Sequence, residues 1–146
     1  MGEIRYTEAI EIAAAPEEIF DYRIDFTTLP EYNPTVSNIR RTDGGSVAGA
    51  GAEYLFDLSM GGATAEMPIR VTLAERPGRI VFDTGPGYMA TEDCTFTPAG
   101  PGTRVEFAYT LTFPTEVDDA TAQMVEASGR EQARTELEHM KKILER

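Results

Sequence analysis

The chain is poor in the side chains from which metal and redox sites are assembled. One cysteine, Cys94, and one histidine, His139, occur in 146 residues. No internal disulfide can close, and no zinc or haem site is expected. Phosphate-cradling glycine loops, strand-linked dinucleotide fingerprints and nucleophile elbows are missing too; Gly49-Ala-Gly51 is too short for a dinucleotide fingerprint. Cationic residues are scarce: 13 Lys+Arg against 25 Asp+Glu leave a formal net charge of -12. A surface of that sign repels nucleic-acid phosphates and anionic headgroups. No stretch reaches the ~20 apolar residues of a membrane span. The first eight residues, Met1 to Glu8, contain no apolar signal core. The expectation is a soluble, cytoplasmic protein with no cofactor, no metal, no nucleic-acid partner and no stable membrane insertion.

What is present is patterned. A length of 146 residues fits a single domain, 1-146, with ordinary globular composition. Ile4, Tyr6, Ile10 and Ile12 alternate and predict a half-buried strand. Pro16, followed by Glu17 and Glu18, suits the first turn of a helix whose buried side is Ile19, Phe20 and Ile24. Pro30 and Pro34 stop any longer helix, leaving a second short one over Asp25–Leu29. From Val36 the period becomes two, with strands expected at Val36–Thr42, Ala52–Met60, Thr64–Arg76, Arg79–Thr84, Tyr88–Thr97 and Thr103–Phe113. Pro68 predicts a bulge in the fourth strand. Short Gly/Pro turns between the strands imply a consecutive antiparallel meander. One long helix follows, from Glu116 to about Glu145, acidic at its start and basic at its end.

This order of elements resembles the START-like, helix-grip (SRPBCC) superfamily that includes the birch-pollen allergens. The polyketide cyclase/dehydrase and lipid-transport family is its nearest likeness. The residues that carry the resemblance are Pro16-Glu-Glu-Ile-Phe-Asp21, Leu29-Pro-Glu-Tyr-Asn-Pro34, Gly49-Ala-Gly-Ala52, Pro77-Gly-Arg-Ile-Val-Phe82 and Gly102-Thr-Arg-Val105. The resemblance implies an α+β fold: a curved seven-stranded antiparallel sheet wrapped around a long C-terminal helix, with two short helices between strands one and two. It implies hydrophobic-ligand carriers, aromatase/cyclases or quinone binders as functional classes. These motifs are turns and core positions, so they specify fold more than activity.

Strand parity then places a candidate cavity. Tyr54, Phe56, Leu58 and Met60 face inward from the third strand, Ala65 to Leu73 on odd positions from the fourth, and Val105, Phe107, Tyr109, Leu111 and Phe113 from the seventh. Cys94 and Phe96 also face inward, which carries Glu92 to the same side. An inward carboxylate needs a partner or a proton. On the last helix, Ala133, Leu137, Met140 and Leu144 share a face that extends backwards to Gly129, Glu126 and Ala122, with Arg130 at its edge. A helix that is bulky at one end and small or polar at the other leaves space against the sheet. The turns Gly61-Gly62, Gly85-Pro-Gly87 and Phe113–Thr115 share the end where that helix begins, and they mark the expected mouth beside Met60, Tyr88 and Met89.

The candidate ligand-binding set is therefore Tyr54, Phe56, Met67, Glu92, Phe107, Tyr109, Glu126 and Arg130. The first reading is binding or transport of an apolar small molecule such as a lipid, quinone or polyketide-like metabolite. The Tyr54 and Tyr109 phenols, Glu92 and the Glu126–Arg130 pair would orient its polar end. The alternative is an aromatase/cyclase-like enzyme with Glu92 as base and Tyr109 or Arg130 as donor. Arg70, Arg79 and Arg104 point outward, so no strand supplies a pocket arginine. A third reading is a protein-interaction module with a closed interior, docking a basic partner near Phe20 and Leu29. His139 is expected at the surface and Cys94 as a small buried apolar residue. Homodimerisation is left open.

Overall fold

In a computed structural model, which describes residues 2–146, the chain opens with β1 (Gly2–Ile12), whose Ile4, Tyr6 and Ile12 are buried. Proline in the first turn and two acidic residues behind it start α1 (Pro16–Ile24). Its buried face comprises Ile19, Phe20, Ile24 and one charged residue, Arg23. The short helix expected over Asp25–Leu29 is displaced. Phe26–Thr28 forms a 3-10 turn that the Asp25 carboxylate caps, and α2 (Leu29–Tyr32) follows directly. Pro30 falls within the first turn of α2, where its missing N–H costs nothing, so it starts this helix rather than stopping one.

Six further strands complete the sheet: β2 (Val36–Arg41), β3 (Glu53–Met60), β4 (Ala63–Glu75), β5 (Arg79–Thr84), β6 (Ala90–Ala99) and β7 (Gly102–Phe113). They pair in the order β1-β7-β6-β5-β4-β3-β2. Every pairing is antiparallel. This is the helix-grip architecture: a meander of six strands closed against β1, with α3 (Asp119–Leu144) beside it.

Two departures from the expected strands have local causes. Pro68 pairs regularly with Leu55. The irregularity on β4 lies instead between Val71 and Leu73, so inward parity ends at Val71 and Leu73 is only half-buried. The sixth strand starts at Ala90 rather than Tyr88, because Pro86–Tyr88 turns as a 3-10 segment with positive φ at Gly87 and Tyr88. The last helix begins three residues later than Glu116. Asp118 caps it, accepting a hydrogen bond from the Thr121 amide at 2.8 Å.

The register aligns the site. Tyr6 lies opposite Tyr109, Tyr109 opposite Glu92, Glu92 opposite Phe82, and Phe82 opposite Val71. These five residues form one row across five strands on the inner face. The C-terminal half of α3 buries Ala133, Leu137 and Met140 against that face.

Candidate functional site

A cavity of about 290 Å³ lies between the inner face of the sheet, the α1–α2 segment and the middle of α3. Val36, Phe56, Leu58, Met67, Ile69, Phe82 and Leu111 make its apolar wall, with Phe26 and Leu29 on the helical side. The turn Gly85, Pro86, Met89 borders it, whereas Gly61, Gly62, Met60 and Tyr88 do not. Its polar lining is concentrated: Tyr6, Tyr109 and Glu92 from the sheet, Arg23 and Asn33 from the helical segment, Gln132 and Glu136 from α3.

At the centre of that lining is a buried ion cluster. Arg23 is 1% exposed and Glu92 is 4% exposed, and the guanidinium donates a short hydrogen bond to the Glu92 carboxylate. Its other amino group donates to the Tyr32 phenol at 2.8 Å and reaches the Glu136 carboxylate at 3.4 Å. Asn33 donates to the second Glu136 oxygen at 2.6 Å, and the Cys94 thiol lies 2.9 Å from Glu92. The faces of Phe107, Tyr32, Phe82 and Phe26 surround the Arg23 guanidinium carbon at 4.4, 5.3, 5.5 and 5.9 Å. Such ring faces attract a cation, and they substitute for part of its lost hydration.

Burial disfavours the Arg23 charge, but Glu92, Tyr32, Cys94 and Glu136 together outweigh it, so the guanidinium holds its proton more firmly than usual. Burial also pushes the carboxyl of Glu136 up to about 7; Arg23 opposes that rise and Glu92 adds to it. The Tyr109 phenol and the Cys94 thiol are raised by burial first and by Glu92 second. Burial and then Glu92 lift the Tyr6 phenol to about 12. Glu136 is thus raised towards neutrality beside an arginine, phenols and a thiol that keep their protons.

Of the residues singled out from sequence, Phe56, Met67, Glu92 and Tyr109 line this cavity. The other four do not. Phe107 is fully buried beneath Arg23 rather than at the cavity wall. Tyr54 packs on Phe26 at 5.5 Å and lies in a separate depression beside Arg41. Arg130 turns to β1, donating to Glu8 and to the Thr7 carbonyl, both at 2.9 Å, while Glu126 pairs with it at 3.0 Å. Phe20 and Leu29 are buried. His139 is half-buried, its Nδ1 3.1 Å from the Tyr32 carbonyl.

Arg23, Glu136, Asn33, Gln132 and Tyr6 were not singled out. A signal existed for two of them. Arg23 completes the i, i+3, i+4 face of Phe20 and Ile24, and Glu136 falls within the stripe Ala133, Leu137, Met140. The pocket arginine comes from a helix, beyond the reach of strand parity.

A seven-stranded antiparallel sheet that grips a long C-terminal helix defines the helix-grip class of folds. Solved structures share this architecture. The di-domain ARO/CYC StfQ from the steffimycin biosynthetic pathway superposes with a TM-score of 0.81 at 17% identity, covering 98% of this chain and 51% of that one. The KanY protein superposes at 0.77 with 22% identity and full coverage of both chains. Ara h 8.0201 superposes at 0.70 with 14% identity, over 95% of this chain and 98% of that one. This chain therefore spans about half the length of the di-domain protein, and at these identities the likeness is one of fold. No curated protein matches the sequence. Residues 3–145 match the family described as polyketide cyclase / dehydrase and lipid transport, and the chain belongs to that family.

Proposed function

We propose that the chain binds a small, largely apolar molecule in this cavity, with the molecule's polar end at the Arg23–Glu92–Glu136 cluster, as a carrier or sensor. One observation carries the reading: a continuous apolar wall meets a single concentrated polar patch. Apolar enclosure supplies affinity and a few convergent polar groups supply orientation. A volume of about 290 Å³ lies at the low end of the ~300–1,000 Å³ usual for ligand pockets, which favours a compact ring system over a long-chain lipid. The lone cysteine and the acidic surface support a cytoplasmic setting for this role.

The test is native mass spectrometry of freshly purified protein, followed by solvent extraction, with Ala90→Phe as a variant that fills the cavity. A discrete added mass that extracts as an apolar compound and is lost in Ala90→Phe supports binding. An apo mass together with no uptake of any compact aromatic compound overturns it.

A cyclase-type activity is favoured by a different observation, the Glu136 carboxyl poised near neutrality in a cavity beside the Tyr109 phenol. Proton transfer works best when the acid's pKa is near the working pH. Turnover of poly-β-ketone mimics that Glu136→Gln abolishes would support this reading. Tight binding of the same compounds without product would refute it.

A further inference from the structure

Resting on the binding reading above, we infer that the ligand's polar end is an uncharged hydroxyl or carbonyl and that the cavity refuses carboxylates. One guanidinium, Arg23, serves two carboxylates, Glu92 and Glu136, and no other cationic side chain is within ion-pairing distance of either among the described residues. Arg23 is committed to Glu92. Glu136 receives a longer contact from Arg23, at 3.4 Å, and one amide hydrogen bond from Asn33. It is the surplus acid, and it lines the cavity.

With Glu136 ionised, a carboxylate ligand placed there would be a third anion for one cation, in surroundings that penalise unpaired charge. A hydroxyl donates to ionised Glu136. A carbonyl accepts from protonated Glu136 or from a phenol. The phenols are available: the Tyr6 and Tyr109 hydroxyls line the cavity, and neither has a hydrogen-bond partner among the described residues.

The two ligand types are coupled to the Glu136 proton with opposite sign. The titratable and charged groups around that carboxyl are Arg23 on α1, Tyr32 on α2, Glu92 and Cys94 on β6, and Tyr6 and Tyr109 across the cavity. His139, further along α3, is turned to the Tyr32 carbonyl. Arg23 keeps its proton, and so do Tyr6, Tyr32, Cys94 and Tyr109. Between pH 6 and 8, Glu136 changes from mostly protonated to mostly ionised.

The experiment titrates the full chain with five probes sharing one ring system: naphthalene, 2-naphthol, 2-acetylnaphthalene, 2-naphthoate and 2-naphthylmethylammonium, at pH 6 and pH 8. Apparent affinity scales with the fraction of protein in the competent state, so 2-naphthol should tighten by about tenfold on going to pH 8 and 2-acetylnaphthalene should weaken by up to about tenfold. At pH 8 the 2-naphthoate should bind at least about tenfold more weakly than 2-naphthol, the mark of an unpaired buried charge. Glu136→Gln, isosteric and confirmed as folded by circular dichroism, should lose both pH slopes. Slopes that survive in Glu136→Gln, or tightest binding by the carboxylate or the ammonium, would overturn the inference. Naphthalene separates the two levels. If it binds as well as its substituted relatives, the inference falls and the binding reading stands. If no probe binds, both fall.

Discussion

Replacing Arg23 by methionine removes the one cation from a site that buries two carboxylates. The apolar stem of methionine retains the packing against Phe107, Phe82 and Phe26. What is lost is the hydrogen bond to Tyr32 and the neutralisation of Glu92 and Glu136. Removing one partner of a buried ion pair costs about 3–5 kcal/mol, because the other charge is left uncompensated. Unfolding entropies near 2.1 cal/mol/K per residue give about 0.3 kcal/mol/K for this chain, so Arg23→Met should lower Tm by about 10–16 °C at pH 8. The deficit should shrink towards pH 5. Arg23 opposes the rise of the Glu136 carboxyl, so without it that acid is raised further, and an acid raised in the folded state contributes stability that is present at low pH and lost as pH rises. Adding Glu92→Gln to Arg23→Met should recover part of the loss at pH 8, since it removes a stranded charge. Thermal melts followed by circular dichroism at both pH values decide the matter. A Tm change under about 3 °C, or a double variant less stable than the single one, would refute the charge-balance reasoning.

Three further outcomes follow from the same geometry. Glu136 is raised from 4.5 to about 7 in the folded state, so its contribution to stability is present below the unfolded value and disappears as pH climbs to 7. Relative to Glu136→Gln, the wild type should lose up to about 3 kcal/mol between pH 4.5 and 8, read by urea unfolding, and parallel curves would contradict it. Gly129→Ala should destabilise by about 1–3 kcal/mol despite alanine's better helix propensity. The new Cβ would collide with Tyr6 Cζ and its hydroxyl, so stability equal to wild type would show that Tyr6 yields freely. Tyr109→Phe should leave stability within about 0.5 kcal/mol, because its hydroxyl has no partner to lose among the described residues, yet weaken 2-acetylnaphthalene binding severalfold by calorimetry.

The fold was legible because its signals are local. Ile4, Tyr6 and Ile12 alternate, glycine and proline punctuate each hairpin, and Ala133, Leu137 and Met140 recur at helical spacing. The cluster was half legible. Parity alone carried Glu92 inward, because Cys94 and Phe96 fix the phase of its strand. Arg23 was opaque for a physical reason: a cation on an apolar helix face is normally a rim residue, and the acids that make its burial affordable lie 69 and 113 positions away. The Glu126–Arg130 pair was misplaced because the helix face was extended one residue out of phase. Gly129, Gln132 and Glu136 front the cavity, and Arg130 finds Glu8 on β1 instead.

The uneven anchoring of α3 has a kinetic consequence. Its fully buried residues, Ala133, Leu137 and Met140, all lie in the second half. The first half has no buried side chain, and Met124 is 66% exposed; Arg130 and Arg134 hold the middle of the helix through ion pairs to Glu8. Lifting residues 119–130 would uncover little apolar surface, so that opening has a lower free energy than global unfolding. Amide exchange should therefore be fast at the start of the helix and slow from Ala133 onward, with the change at the level of the cavity. High salt, which screens exposed ion pairs, should accelerate exchange in the first half and leave the second unchanged. A guest could then enter and leave on the timescale of this partial opening while the rest of the molecule stays folded.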